Sequence, residues 1–144
     1  MGKKRIIKKT GQKPDKSLKS RALARAPKRK IAKGILNIQA TYNNTMACLT
    51  DMDGNVVMSS SSGALGFKGA KKSTPFAAAK VGEILGERAV MLGLKDVSVV
   101  VKGVGSGRES VIRSFIAHNI EISSIVDKTP VPHNGVRPKK ARRV

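Results

Sequence analysis

The sequence predicts an α/β fold: a mixed five-stranded sheet, an antiparallel meander then parallel strands with crossover helices, between basic extended arms. Three observations carry this. Short apolar runs over residues 34–58 are separated by Asn, Asp and Gly turn signals, the pattern of a meander. From Thr74 onwards helical and strand periodicities alternate, the pattern of parallel strands joined by right-handed helical crossovers. Finally, the charge lies in the two ends. Residues 1–33 hold fourteen Lys/Arg against one acid and residues 128–144 hold six against none, so the 94 residues between carry only +1 of the total +20.

Each element follows from local chemistry. Gly34 to Thr41 reads as a first strand, ending in the polar cluster Tyr42-Asn43-Asn44-Thr45. Met46 to Thr50 is the second, and Asn55 to Met58 returns as the third through Asp51-Met52-Asp53-Gly54, where Gly54 takes positive φ without steric cost. Residues 59–74, rich in Ser, Gly and Lys, read as a loop that is long for so small a domain. A helix then starts with Thr74 as N-cap and Pro75 at its first position. Val81, Ile84, Leu85, Ala89 and Leu92 share its apolar face, Phe76 is expected to join that core, and Gly93 closes it. Gly82 and Gly86 cost stability unless something packs closely on them. Val97-Ser98-Val99-Val100-Val101 reads as a central strand buried on both faces. Gly103-Val104-Gly105-Ser106-Gly107 turns into a second helix bearing Val111, Ile112, Phe115 and Ile116, and Ile120 to Val126 is a weaker last strand. The domain organisation expected is a basic N-terminal arm (1–33), an α/β core (34–127) and a basic Pro-rich tail (128–144).

Composition narrows the partner. The single Cys48 excludes a disulfide framework and fits a reducing compartment, and within its strand it reads as a small buried apolar residue. No apolar run approaches the roughly 18 residues of a membrane span. The start, Met1-Gly2-Lys3-Lys4-Arg5-Ile6, has neither an apolar h-region behind it nor the hydroxyl of a myristoylation signal. An interfacial membrane helix needs large apolar residues opposite its basic face, and the arms hold few. Self-repelling cationic arms around a near-neutral body suit a polyanion, and nucleic acid leads.

Four stretches carry the binding chemistry. Gly66-Phe67-Lys68-Gly69-Ala70-Lys71-Lys72-Ser73-Thr74-Pro75 brings three lysines and two hydroxyls to a helix N-terminus, which suits sugar-phosphate oxygens, although an ordinary cap under a solvated loop also explains it. Gly103-x-Gly105-x-Gly107-Arg108 departs from the dinucleotide fingerprint and lacks the Gly-Lys-Ser/Thr of an NTPase loop. Its glycines serve either a tight turn or close phosphate approach, and Arg108 and Arg113 add cations. Asn43-Asn44-Thr45 sits where amides read base edges or ribose hydroxyls, or close a hairpin with Asx turns. The tail, Thr129 to Arg143, combines three prolines, which keep it extended, with phosphate-seeking cations.

Catalysis has little support. The core acids, Asp51, Asp53, Glu83, Glu87, Asp96, Glu109, Glu121 and Asp127, do not suggest a metal-binding cluster. His118, His133 and Cys48 have no zinc spacing. The four aromatics are too few for a single-strand stacking module, with Tyr42 and Phe67 the expected base contacts.

At these residues a resemblance enters. Tyr42-Asn43-Asn44-Thr45, Gly66-Phe67-Lys68-Gly69 through Lys72-Ser73-Thr74-Pro75-Phe76-Ala77-Ala78, Lys102-Gly103 with Gly105-x-Gly107-Arg108-Glu109-Ser110, and Thr129 to Pro138 resemble the small-subunit ribosomal protein eleven family, bacterial type. The similarity runs in order from about Gly34 to Val144. It departs at Tyr42, where histidine is usual, Ser59 (tryptophan), Val104 (proline), Val136 (cysteine) and Lys139 (proline). The resemblance implies a ribonuclease-H-like motif without enzymatic activity, and no cofactor, metal, membrane or small-molecule substrate. It implies a structural constituent of the small ribosomal subunit, in the cytoplasm. There it would bind folded ribosomal RNA of the platform near the messenger exit region, beside ribosomal proteins of the six, seven, eighteen and twenty-one type. Carried over by position, the expected RNA contacts are Asn43, Asn44 and Thr45; Gly66, Lys68, Lys71, Lys72, Ser73 and Thr74; Gly105, Ser106, Gly107 and Arg108. To these the tail adds His133, Asn134, Gly135, Arg137, Lys139, Lys140, Arg142 and Arg143, and the charge reading adds Arg113. Other readings of the residues are a nuclease of related sheet architecture and an architectural DNA-binding protein.

Asn134-Gly135 offers little steric resistance to succinimide closure, so Asn134 is expected to convert to isoaspartate. Peptide mapping of the assembled protein should detect it, and finding only intact asparagine would refute it.

Overall fold

A computed structural model describes residues 30–141. Five strands form one sheet: β1 Lys33–Ala40, β2 Thr45–Thr50, β3 Val56–Ser61, β4 Asp96–Lys102 and β5 Glu121–Asp127. Their order is β3-β2-β1-β4-β5. β1 pairs antiparallel with β2 and β2 with β3, whereas β1–β4 and β4–β5 are parallel. Helix α1 (Pro75–Met91) connects β3 to β4, and α2 (Arg108–Ile116) connects β4 to β5. This is the mixed sheet the sequence predicts, in an order that suits a ribonuclease-H-like motif.

Topology dictates which face is covered. Both crossovers step the same way across the sheet, so two right-handed connections put both helices on one side. Leu36, Ile38, Ala47, Leu49, Met58, Val97, Val99 and Val101 point to that side and join Val81, Leu85, Ala89, Val111 and Phe115 in the core. The alternate residues Asn37, Cys48, Ser98 and Val100 face the other way and are only half-buried. β4 is therefore not buried on both faces, as its β-branched run suggests. Its Ser98 and Val100 look onto an uncovered surface because no third crossover exists among the described residues to cover it.

Local departures have similar causes. The third strand continues past Met58 to Ser61, because Ser59, Ser60 and Ser61 pair with Cys48, Ala47 and Met46 through backbone groups that need no apolar side chain. Within the following loop, Gly69–Ser73 forms a 3-10 turn. α1 begins where expected, with the Thr74 hydroxyl accepting the Ala77 N–H at 3.3 Å and Pro75 at its first turn. Gly93 follows the helix with φ of 78°. Phe76, however, is 61% exposed and does not join the core. Position 76 lies on the solvent side of α1, while Ala77, Ala78 and Val81 turn inward.

The two glycines of α1 mark its crossing with α2. A Cβ on Gly82 would lie 2.5 Å from the Val111 carbonyl oxygen and 2.9 Å from Ser114 Cβ, and one on Gly86 would lie 2.2 Å from His118 Cδ2. Both are below any tolerable contact, so the helices approach only because neither carries a side chain. At Gly82 the obstruction includes backbone, whereas at Gly86 it is a ring that can rotate away. Gly82→Ala should cost about 1–3 kcal/mol of overpacking, more than the roughly 1 kcal/mol that alanine gains in helix propensity. Gly86→Ala should come out nearer neutral, and chemical denaturation of both variants checks the ordering.

Candidate nucleic-acid interface

Strands β1, β3, β4 and β5 run in one direction, so they end at the same edge of the sheet. The register shows this directly: Gln39 pairs with Lys102 and with Met46, Met46 with Ser61, and Val101 with Asp127. The segments leaving that edge are Thr41–Asn44, Ser62–Thr74, Gly103–Gly107 and the tail from Lys128. These four segments hold or border all the sequence-predicted contacts except Arg113, which follows on α2. The N-termini of α1 and α2 open at the same edge.

Backbone packing joins the loops. The Gly105 N–H donates to the Ala40 carbonyl at 2.9 Å. A Cβ on Gly103 (φ 97°) would lie 2.1 Å from that carbonyl oxygen, and one on Gly105 2.5 Å from the Thr41 carbonyl oxygen. One on Gly107 would strike Thr45 Oγ1 at 2.4 Å and Ala78 Cβ at 2.8 Å. These glycines therefore permit close approach of chain to chain. The Ser106 hydroxyl donates to the Ser73 carbonyl at 2.9 Å, tying the glycine turn to the 3-10 turn. The Ser62 N–H donates to the Thr45 carbonyl at 2.9 Å, tying the long loop to the hairpin.

The hairpin is closed by Thr41 rather than by Asx turns. Its hydroxyl donates to the Asn44 carbonyl at 3.0 Å and accepts the Asn44 N–H at 3.1 Å and the Asn43 N–H at 3.4 Å. Asn43 is exposed. Thr45 is fully buried, and its Oγ1 and the Asn44 Oδ1 are buried without a hydrogen-bond partner among the described residues. Thr45 thus serves the packing of the edge rather than its surface.

The hydroxyls of the lysine loop are engaged by its own backbone: Ser73 Oγ donates to the Ala70 carbonyl at 3.2 Å and Thr74 Oγ1 to the Lys71 carbonyl at 2.8 Å. With Thr74 also capping α1, the helix start is an ordinary cap. The lysines carry what is offered to solvent. Lys68 and Lys71 are exposed and Lys72 half-buried, and among the described residues none of the three is ion-paired. Gly66, with φ of 90°, shapes the loop before them.

Arg108 is engaged within the protein. Its guanidinium donates to the Gly103 carbonyl, to the Asp127 carboxylate and, at 3.4 Å, to the Thr129 hydroxyl. The Thr129 hydroxyl and N–H donate to Asp127 Oδ1 at 2.6 and 2.9 Å, and the Gly103 N–H donates to the Thr129 hydroxyl at 3.2 Å. This lock ties the root of the tail to the glycine turn. The Thr129 hydroxyl, then Arg108, then the Thr129 N–H hold the Asp127 carboxyl far below the usual carboxylate range. The sequence reading did not find Asp127 and Thr129, although an acid two residues before a threonine at a strand end signals such a turn. Arg113 is 81% exposed, and its 3.3 Å pair with Glu109 is a surface contact of about 0.3–0.5 kcal/mol that leaves it available. Gly105, Ser106, Arg108, Glu109, Ser110 and Arg113 line a hollow of about 240 Å³ there.

His133, Asn134, Gly135, Arg137, Lys139 and Lys140 are all exposed on the tail, with Asn134 in the left-handed region at φ 53°. Arg142, Arg143 and the arm through residue 29 lie outside the described residues. The core acids Asp51, Asp53, Asp96 and Glu121 sit at the opposite edge, together with Lys95 and with Lys33, which pairs with Asp96 at 3.8 Å. A second hollow, about 420 Å³, lies on the uncovered sheet face and has Lys102 as its only charged lining residue. Cys48 lines it, half-buried, its thiol pKa raised by that burial. Among the described residues no group of three or more His, Cys, Asp or Glu is placed to hold a metal, and no helix is long and apolar enough to cross a membrane.

A cationic loop edge on a small α/β core defines a protein suited to binding a polyanion such as nucleic acid. The family model described as Ribosomal protein S11 matches residues 34–143, and the chain belongs to that family. It is accordingly a non-enzymatic structural protein of the small ribosomal subunit, with ribosomal RNA and other ribosomal proteins as partners.

Because folding lowers the Asp127 pKa, the lock contributes fully above the unfolded aspartate value of about 3.9 and is lost only as pH falls towards the folded value. The Thr129 amide resonance should hold constant from about pH 8 to about pH 5. In Asp127→Asn the amides of Gly103 and Thr129 should exchange faster. A Thr129 resonance titrating near neutrality would contradict the lock.

Proposed function

We propose that the edge where β1, β3, β4 and β5 end is the surface that cements folded ribosomal RNA, with the core (34–127) extended by the tail (128–144), and with the arm (1–33), whose Lys33 already belongs to β1, adding further cations. The supporting observation is the convergence of Lys68, Lys71, Lys72, Arg113 and the tail on one edge whose Asp127 is engaged by Arg108 and Thr129. Exposed cations neutralise phosphates and release the counterions condensed on the RNA, which supplies affinity with little base selectivity. Asn43 and the exposed Tyr42 add groups able to read a base or ribose at the hairpin tip. Ser73, Thr74, Gly105, Ser106, Gly107 and Arg108 shape the edge, and His133, Asn134, Gly135, Arg137, Lys139, Lys140, Arg142 and Arg143 extend it. The RNA is that of the platform near the messenger exit region, and the neighbours are ribosomal proteins of the six, seven, eighteen and twenty-one type, in cytoplasmic ribosomes.

With roughly 6 to 10 phosphates contacted, affinity for small-subunit ribosomal RNA should fall on the order of 10³–10⁵ between 50 and 200 mM salt. Replacing Lys71 and Lys72 together (Lys71→Glu with Lys72→Glu) should weaken binding and flatten the salt slope by about 2, because each lysine neutralises about one phosphate. Circular dichroism should remain unchanged. Salt-insensitive binding, or a double variant that binds like the parent, would overturn the assignment.

A further inference from the structure

Phe76 is a large apolar side chain left 61% exposed on the first turn of α1. It follows directly on Lys71, Lys72, Ser73 and Thr74, at the edge where the loops gather. Its ring does not hang freely in solvent. Phe67, itself packed against the core, meets it in a T-shaped arrangement, with ring centroids 6.1 Å apart and planes at 85°. The Lys80 ammonium lies 6.0 Å from its centroid and is held there by Glu83 at 2.5 Å. The ring is thus oriented by one neighbour and bordered by one ammonium, while most of its surface faces water.

We infer that Phe76 is a stacking platform for an unpaired base of the bound RNA. The inference rests on the assignment of this edge to RNA and adds to it a base contact on a residue that sequence reading placed in the core. Bases splayed out of RNA loops and bulges stack on aromatic faces, and a ring already oriented loses little freedom on capture. Stacking tolerates any base, because every base has a π-face. The setting favours RNA over a protein partner. Apolar anchors of protein interfaces sit among groups that exclude water, and lysine is depleted there. Here the ring has the Lys80 ammonium 6.0 Å from its centroid, and Lys71 and Lys72, which have no ion-pair partner among the described residues, precede it in the 3-10 turn, so the setting is cationic.

The test uses the full chain and a transcript of small-subunit ribosomal RNA. Phe76→Leu keeps an apolar side chain but removes the π-face, and should weaken binding about 5- to 150-fold, the measured range for one stacked base. Because no charge is removed, the slope of log affinity against log salt should stay at the parent value. Phe76→Trp should retain the affinity, and ultraviolet crosslinking of the unmodified chain should yield a nucleotide adduct on Phe76. The inference is overturned if Phe76→Leu binds as the parent does, or if it binds RNA normally but fails to retain a neighbouring ribosomal protein. Failure of the wider assignment would look different: the unmodified chain itself would show no salt-dependent affinity.

Discussion

Two hydrogen-sized side chains allow the β4–α2 turn to lie against the ends of β1 and β2. Gly103 and Gly105 bring their backbone so near the Ala40 and Thr41 carbonyls that a single methyl group at either position would collide with an oxygen. From that approach follow the hydrogen bond from Gly105 to Ala40, the seating of Gly107 on Thr45, and the bond from Ser106 to the lysine loop. The Arg108–Asp127–Thr129 lock then hangs the tail from the same turn. Separate loops become one surface because a strip without side chains lets them touch.

The remainder of the molecule holds that surface in place. One face of the sheet is sealed by two helices that cross at glycines, and the core of Leu36, Ile38, Leu85, Val99 and Phe115 excludes water beneath the edge. Division of charge follows the same geometry. Acids gather where β2 ends and where β4 and β5 begin, and unpaired lysines gather where β1, β3, β4 and β5 end. A core with almost no net charge therefore still offers a polyanion one edge richer in cations than the other. The near-balance of its acids and bases says nothing of this, because only the fold sorts them by edge.

Much of the fold was legible. The Asp-Gly turn at Gly54, the Thr74-Pro75 helix start, the apolar stripe from Val81 to Leu92 and the strand β4 each rest on interactions among residues a few positions apart. Three readings failed for the opposite reason. The Val97–Val101 run does not reveal that its second face is uncovered, since that depends on the hand of two crossovers. Phe76 looks like a core residue beside Ala77 and Ala78, yet helical phase relative to the sheet turns it outward. The serines of β3 look like loop, yet their backbones complete a ladder with β2. At the site, the sequence shows the charges of Arg108 and Asp127 but not that they meet, because they lie nineteen residues apart.

By itself the sequence determined the element types, the meander-then-crossover order, the cationic ends and the motifs that place the chain in its family, because these are encoded in local periodicity, turn chemistry and composition. Only the tertiary structure decided which cations remain available, where the glycine turn meets the strand ends and which aromatic ring meets solvent. Those outcomes depend on distances between residues far apart in the chain, and no local pattern carries that information.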